Sequence, residues 1–337
     1  MATYSAVDGM PQDFHLVHLG ARALGGAAMV FAEMTAPCAE GRITPGCPGL
    51  WDEAQMQAWK RIVNFIHNSG EGARAAMQLG HSGPKGSTQL GWDAPDEPLP
   101  TGNWPLLAAS AVAYGPTNDL PRAMTPEDMA QIKAQFVQST RYAAEAGFDW
   151  LELHCAHGYL LSSFITPLTN RRDDAYGGSL ENRCRYPLEV FTAMRAVWPA
   201  NKPMAVRISA HDWAEGGNTD DDAVVMARWF KQAGCDVIDV SSGQTTRQAK
   251  PVYGRMYQTP FADRIPALVS NRVDVVVGST SDTLERAKTV GMSIPYFAFT
   301  MVVLTREDKK ITNYTDLKGR PVGNTVSTYE AIALEKD

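Results

Sequence analysis

The sequence predicts an α/β fold built on a parallel sheet, with a barrel-type site where its strands end. Three observations carry that expectation. Short apolar strands alternate with amphipathic helices from about residue 27 to 242, the pattern of a parallel sheet covered by helices. One strand, WLEL, ends in three side chains able to hydrogen-bond or move protons, His154, His157 and Tyr159, and leads through a long loop into a helix. Catalytic groups of barrels project from such strand ends. A Gly/Pro/Ser/Asn-rich connection, about 83–124, is far longer than an ordinary strand-to-helix link, and loops of that length inside compact domains are usually functional.

Taken in order, a polar opening leads to a helix over about 12–25, a strand AAMVFAEMTA and a Gly/Pro-rich loop through Pro48. Asp52 can cap a helix to about Asn68, with Met56, Trp59, Ile62, Val63 and Ile66 at helical spacing on one face. The next strand, 73–79, ends near Gln78 and His81. Thr125 starts a helix to about Gly147, with Pro126 at its first position and Glu127 and Asp128 where the helix dipole favours acids. The central strand and its loop follow. Ser179 caps a helix to about Trp198, and then come strand PMAVRISA, a helix over about 219–233 and strand DVIDVSS.

Composition narrows the class of partner. The 337 residues fit one large barrel or two smaller domains, and 44% hydrophobic with 20% charged residues is ordinary for a globular protein. A net charge of −6 argues against nucleic acid or an anionic membrane as partner. No apolar run approaches the roughly 20 residues of a membrane helix, and the N-terminus lacks the basic start and apolar middle of a signal peptide. The five cysteines, odd in number and without metal-like spacing, read as free thiols of a reducing, cytoplasmic setting. A small-molecule substrate is the expected partner, with self-association into a homo-oligomer a further expectation.

The run HCAHGYLLSSFITPLTNRRDDAYGGSLENR resembles the signature of the old yellow enzyme family of flavin-dependent reductases, on its two-histidine branch. YSAVDG, HLVHLGARALGGA, GRITPG, MQLGHSGPKGS, VRISAHDW and VSSGQT extend the likeness to about residue 265, and DEPLPTGNWPLLA with PVYGRMYQTPFADRI is similar to the reductase domain found with salicylyl-CoA and anthraniloyl-CoA hydroxylases. The resemblance implies a (β/α)8 TIM barrel, here expected to lack its first strand and its native last two. It also implies FMN as cofactor and NADH or NADPH as hydride donor, with hydride passing by way of the flavin to an electron-poor alkene such as an unsaturated or dearomatised acyl-CoA.

The same resemblance assigns roles. His154 and His157 would hold the substrate carbonyl as charge develops on it, and Tyr159 would protonate the α-carbon. Tyr4 matches a tyrosine that reaches the substrate pocket. Gln78 matches the amide at the flavin pyrimidine edge, the alternative being a polar strand cap, and Arg207 matches the cation beside N1, the alternative being an ion pair with Asp149 or Glu152. Ala2 stands on the cofactor side where the family often carries a flavin-tuning cysteine. His81, Arg171 and Arg172 are expected to be structural.

Beyond about 265 the likeness changes: VDVVVGSTSDTLERAKTVGMSIPYF and DLKGRPVGNTVSTYEAI resemble amino-acid solute-binding proteins of transporters. Ser279, Ser281, Arg286, Ser327 and Thr328 match ligand-holding positions there. The expectation is therefore two parts, 1–265 a truncated flavin barrel and 266–337 a solute-binding-protein-like α/β fragment. That fragment can also be read as closing the sheet, with Gly278 and Ser279 offering backbone N–H groups to the FMN phosphate. The rival functions are an amino-acid-binding fragment without catalysis and an inactive chimera.

Overall fold

In the computed structural model, residues 2–69, 72–254 and 256–265 are described. Helix α1 (Asp13–Leu24) precedes β1 (Met29–Thr35), α2 (Glu53–Ser69) and β2 (Arg74–Leu79). Two-residue strands β3 (Leu107–Ala108) and β4 (Arg122–Ala123) follow, then α3 (Pro126–Ala146), β5 (Trp150–Cys155), α4 (Leu160–Ile165) and α5 (Leu180–Arg195). The remaining elements are β6 (Met204–Ser209), α6 (Asp220–Gln232), β7 (Val237–Ser241) and α7 (Thr259–Arg264). Strands β1, β2, β5, β6 and β7 form one five-stranded parallel sheet in chain order, the arc of an incomplete (β/α)8 barrel. Residues 2–5 form no strand. The calls on Gly278, Ser279 and the rest of 266–337 lie outside the described residues. Val252–Tyr257 group with the C-terminal unit, and within them the Tyr253 and Tyr257 rings meet edge-on at 5.3 Å.

Helices α2, α3, α5 and α6 begin where their cap chemistry places them. Asp52 Oδ1 accepts from the Gln55 amide at 2.8 Å. Thr125 and Thr219 each trade hydrogen bonds with the aspartate three residues on, which satisfies amides that the helix leaves open. Ser179 accepts from Asn182 N at 3.2 Å. The apolar stripe of α2, Met56, Trp59, Ile62, Val63 and Ile66, is buried, at roughly 1.5–3 kcal/mol for each large side chain.

The register divides the sheet into two chemically distinct faces. Met77, Leu79, Leu151, Leu153, Val206, Ile208, Ile238 and Val240 belong to the main apolar cluster with the helices. The alternate positions pair Gln78 with Glu152, His154 with Arg207, Arg207 with Asp239, and Ser209 with Ser241. Because side chains alternate along a strand and register partners in a parallel pair share a face, these polar groups line the other side together. Two features differ from the expected loops. α4 forms directly after Tyr159, and β3 and β4 pair inside the long 83–124 connection.

Candidate active site

The polar face ends in the HCAHGY turn. His154 is buried on β5, and its Nδ1 accepts from the Ala156 amide at 3.1 Å, so the neutral ring carries its proton on Nε2. His157 sits in the left-handed region, φ 64°. Its amide donates to Ser209 Oγ at 2.9 Å and its Nε2 lies 2.6 Å from Ser241 Oγ. Gly158 follows with φ 74°, and a Cβ there would meet the Gln244 carbonyl oxygen at 2.8 Å. Only glycine fits that turn without displacing backbone. The ring centroids of His154 lie 5.0 Å from His157 and 5.0 Å from Tyr159, both edge-on.

Burial sets the protonation states. It holds His154 well below the usual histidine range, helped by His157, and it lowers His157 to about 3, helped by Arg207 and Lys85. Both rings are neutral near pH 7, each with a single N–H to donate. Burial raises the Tyr159 phenol, so it keeps its proton. Tyr4, lifted to about 12 chiefly by burial, packs with Tyr159 on the small cluster of Met34, Ile43 and Cys47. Ala2 precedes Thr3, whose amide donates to Glu33 Oε2 at 2.6 Å and whose hydroxyl donates to Glu33 Oε1.

Further along the same face, Gln78 Nε2 donates to Glu152 Oε1 at 2.7 Å. The Arg207 Nε lies 3.4 Å from Asp239 Oδ2, yet it is buried without an aligned hydrogen bond. The expected rival partners are corrected here. Asp149 is taken by His67 at 2.7 Å and Arg74 at 3.3 Å, Glu152 bonds Gln78, and the carboxylate beside Arg207 is Asp239. Burial and then Asp239 push Glu152 up to about 8, and burial raises Asp239.

An unsatisfied guanidinium N–H and an amide oxygen on one face of the sheet suit the mixed donor and acceptor pattern of an isoalloxazine's pyrimidine edge, and the residues present fit the ring of FMN on that ground. Residues expected at its phosphate fall outside the described residues.

Lys85 was not singled out by sequence reasoning. It is 5% exposed, donates to the His157 carbonyl at 3.1 Å and the Gln244 carbonyl at 3.3 Å, and lies over the rings of Tyr114 (4.1 Å) and Tyr159 (5.2 Å). Burial lowers it to about 8. A lysine in a Gly/Pro loop carries no spacing signal that would announce such burial. His81 is buried with its Nδ1 accepting from the Gly83 amide at 3.0 Å. Arg172 ties Asp174 to the carbonyls of Ala109 and Met124, and the Arg171 amide donates to Ser110 Oγ.

A barrel arc whose polar face gathers two neutral histidines, a protonated tyrosine, a cation and an amide is that of a flavoprotein oxidoreductase. The chain belongs to the NADH:flavin oxidoreductase / NADH oxidase family, which matches residues 1–275. A second family, bacterial extracellular solute-binding proteins, family 3, matches residues 238–335 and overlaps the first. The chain is 40% identical over 258 residues to an NADPH dehydrogenase of Listeria monocytogenes serotype 4b, covering 77% of this chain and 71% of the relative. It is 39% identical over 267 residues to an NADPH dehydrogenase of Halalkalibacterium halodurans, covering 79% and 73%.

Among solved structures, a 2-naphthoyl-CoA reductase in complex with 2-naphthoyl-CoA is similar at TM-score 0.63 and 25% identity, over 73% of this chain but only 37% of that one. Morphinone reductase shares the fold at TM-score 0.63 and 24% identity, over 81% and 78%. Use of FMN and NAD(P)H is typical of this family. Among the described residues no helix is long and apolar enough to cross a membrane.

Proposed function

We propose that residues 1–265 act as an NAD(P)H-dependent ene-reductase with FMN on the polar face of the sheet, and that 266–337 is a separate solute-binding-protein-like fragment. The observation that carries this reading is the pair of neutral histidines and the protonated tyrosine at one strand end, on the same face of the sheet as Gln78 and Arg207. When bound, FMN supplies hydride transfer between NAD(P)H and the β-carbon of an activated alkene.

The chain's own groups do the rest. The His154 Nε2–H and, with the Ser241 hydroxyl donating to His157 Nε2, the Nδ1–H of His157 donate to the substrate carbonyl oxygen and stabilise the charge that gathers there. Two neutral donors suit this task, because a charged imidazolium would compete as a proton source. Tyr159, kept protonated by burial, gives its phenolic proton to the α-carbon. Arg207 and Gln78 hold the flavin pyrimidine edge, and Tyr4 bounds the substrate pocket beside Tyr159. An acyl-CoA thioester as the activated alkene is supported by the motif likeness and by the 2-naphthoyl-CoA complex of the similar reductase.

Tyr159→Phe tests the reading. Reduction of an α,β-unsaturated carbonyl compound should slow by about two orders of magnitude, the scale of a lost general acid, while flavin reduction by NADPH should hardly change. Equal loss in both half-reactions would show that Tyr159 is structural.

A further inference from the structure

A primary amide shows opposite patterns on its two sides, an acceptor oxygen and a donor NH2, so a buried glutamine reads a ligand correctly only if something fixes which side faces it. For Gln78 that something is Glu152. Its Nε2 donates to Glu152 Oε1 at 2.7 Å, and among the described residues its Oε1 has no hydrogen-bond partner. Glu152 is 3% exposed and sits in register with Gln78 across the β2–β5 pair. Against the carboxylate, turning the amide over would set two oxygens against each other at that distance and leave the buried hydrogen bond unmade.

We propose that Glu152 is a positioning residue: it locks the Gln78 amide with its oxygen toward the cleft, so that the site recognises an imide N–H flanked by a carbonyl. The inference rests on the flavin reading above, in which that imide is N3–H of the isoalloxazine. Glu152 itself touches no ligand. The ionised carboxylate can only accept, whereas the protonated acid carries an O–H that can also donate to a turned amide, so the lock is firmest with Glu152 ionised.

The test compares binding of FMN with binding of its 3-methyl analogue, which lacks the N3–H donor, to the full-length chain by flavin fluorescence. The wild-type chain should prefer FMN by about tenfold, the worth of one buried hydrogen bond. Glu152→Met removes the acceptor at equal length, and Glu152→Asp, the milder change for folding, retracts it. In both the preference should fall toward unity, while Glu152→Gln, whose amide can either accept from or donate to Gln78, should keep only part of it. A wild-type preference persisting in the Met and Asp variants would overturn the proposal, since a merely structural role would weaken both flavins alike. Gln78→Ala separates the two levels. If it leaves the FMN preference intact, Gln78 does not read the flavin and the site assignment itself fails. If it abolishes the preference while the Met and Asp variants at 152 keep it, only the positioning role is lost.

Discussion

Glu152 also makes the folded chain sensitive to pH. Burial, then Asp239 on β7, raise its carboxyl from 4.5 to about 8, against the lowering effects of Gln78 on β2 and Arg207 on β6. An acid whose folded pKa is raised binds its proton more tightly in the folded state, so stability falls as pH rises between the unfolded and folded values. The buried histidines act in the opposite sense, but His81 at about 4 and His157 at about 3 have finished by the unfolded value of 6.5. Lys85 contributes only above about 8.

Between pH 6.5 and 8 ionisation of Glu152 beside Asp239 should therefore destabilise the flavin-free chain, by on the order of 1 kcal/mol per pH unit. The assay is urea unfolding of wild type and Glu152→Gln at half-unit steps. The wild-type stability should decline across this window, and the neutral variant should flatten the decline. Parallel curves for the two proteins would refute the reasoning, because they would show that Glu152 is ionised throughout or exposed to water.

His154→Ala and His157→Ala should each weaken binding of phenolate-type carbonyl mimics and diminish their charge-transfer absorbance with the flavin; an unchanged band in either would remove that histidine from the carbonyl clamp. Ser241→Ala should lower the alkene half-reaction several-fold by freeing the His157 ring from its 2.6 Å contact, with flavin reduction unaffected. Gly158→Ala should destabilise the chain by about 2–4 kcal/mol, from the left-handed backbone and a Cβ pressed on the Gln244 carbonyl. Gly178→Ala, with φ 78° but nothing within 4 Å, should cost only about 1 kcal/mol in thermal or urea unfolding.

Local chemistry was legible where it is written in neighbouring residues. The caps at Asp52, Thr125 and Ser179 and the stripe of α2 follow from spacing alone, and the alternation of elements implied the parallel sheet that is seen. The HCAHGY turn stood out because two histidines and a tyrosine fall within six residues. Pairings across strands were not legible. Arg207 lies beside Asp239 rather than Asp149 or Glu152, and nothing local to either residue encodes a register. Lys85 escaped for the same reason, since its burial depends on Tyr114, Tyr159 and two carbonyls brought together by three separate segments. The helix α4 was read as loop because LLSSFI is too short to show a helical period.

The central claim, that this face of the barrel holds FMN, is tested most directly by titrating FMN into the full-length chain and its Arg207→Met variant while following flavin absorbance and fluorescence. The wild-type chain should bind one FMN with a shifted flavin spectrum, and loss of the cation should weaken binding by about tenfold or more. A chain that takes up no FMN, or one whose FMN binding is indifferent to Arg207, would contradict the account.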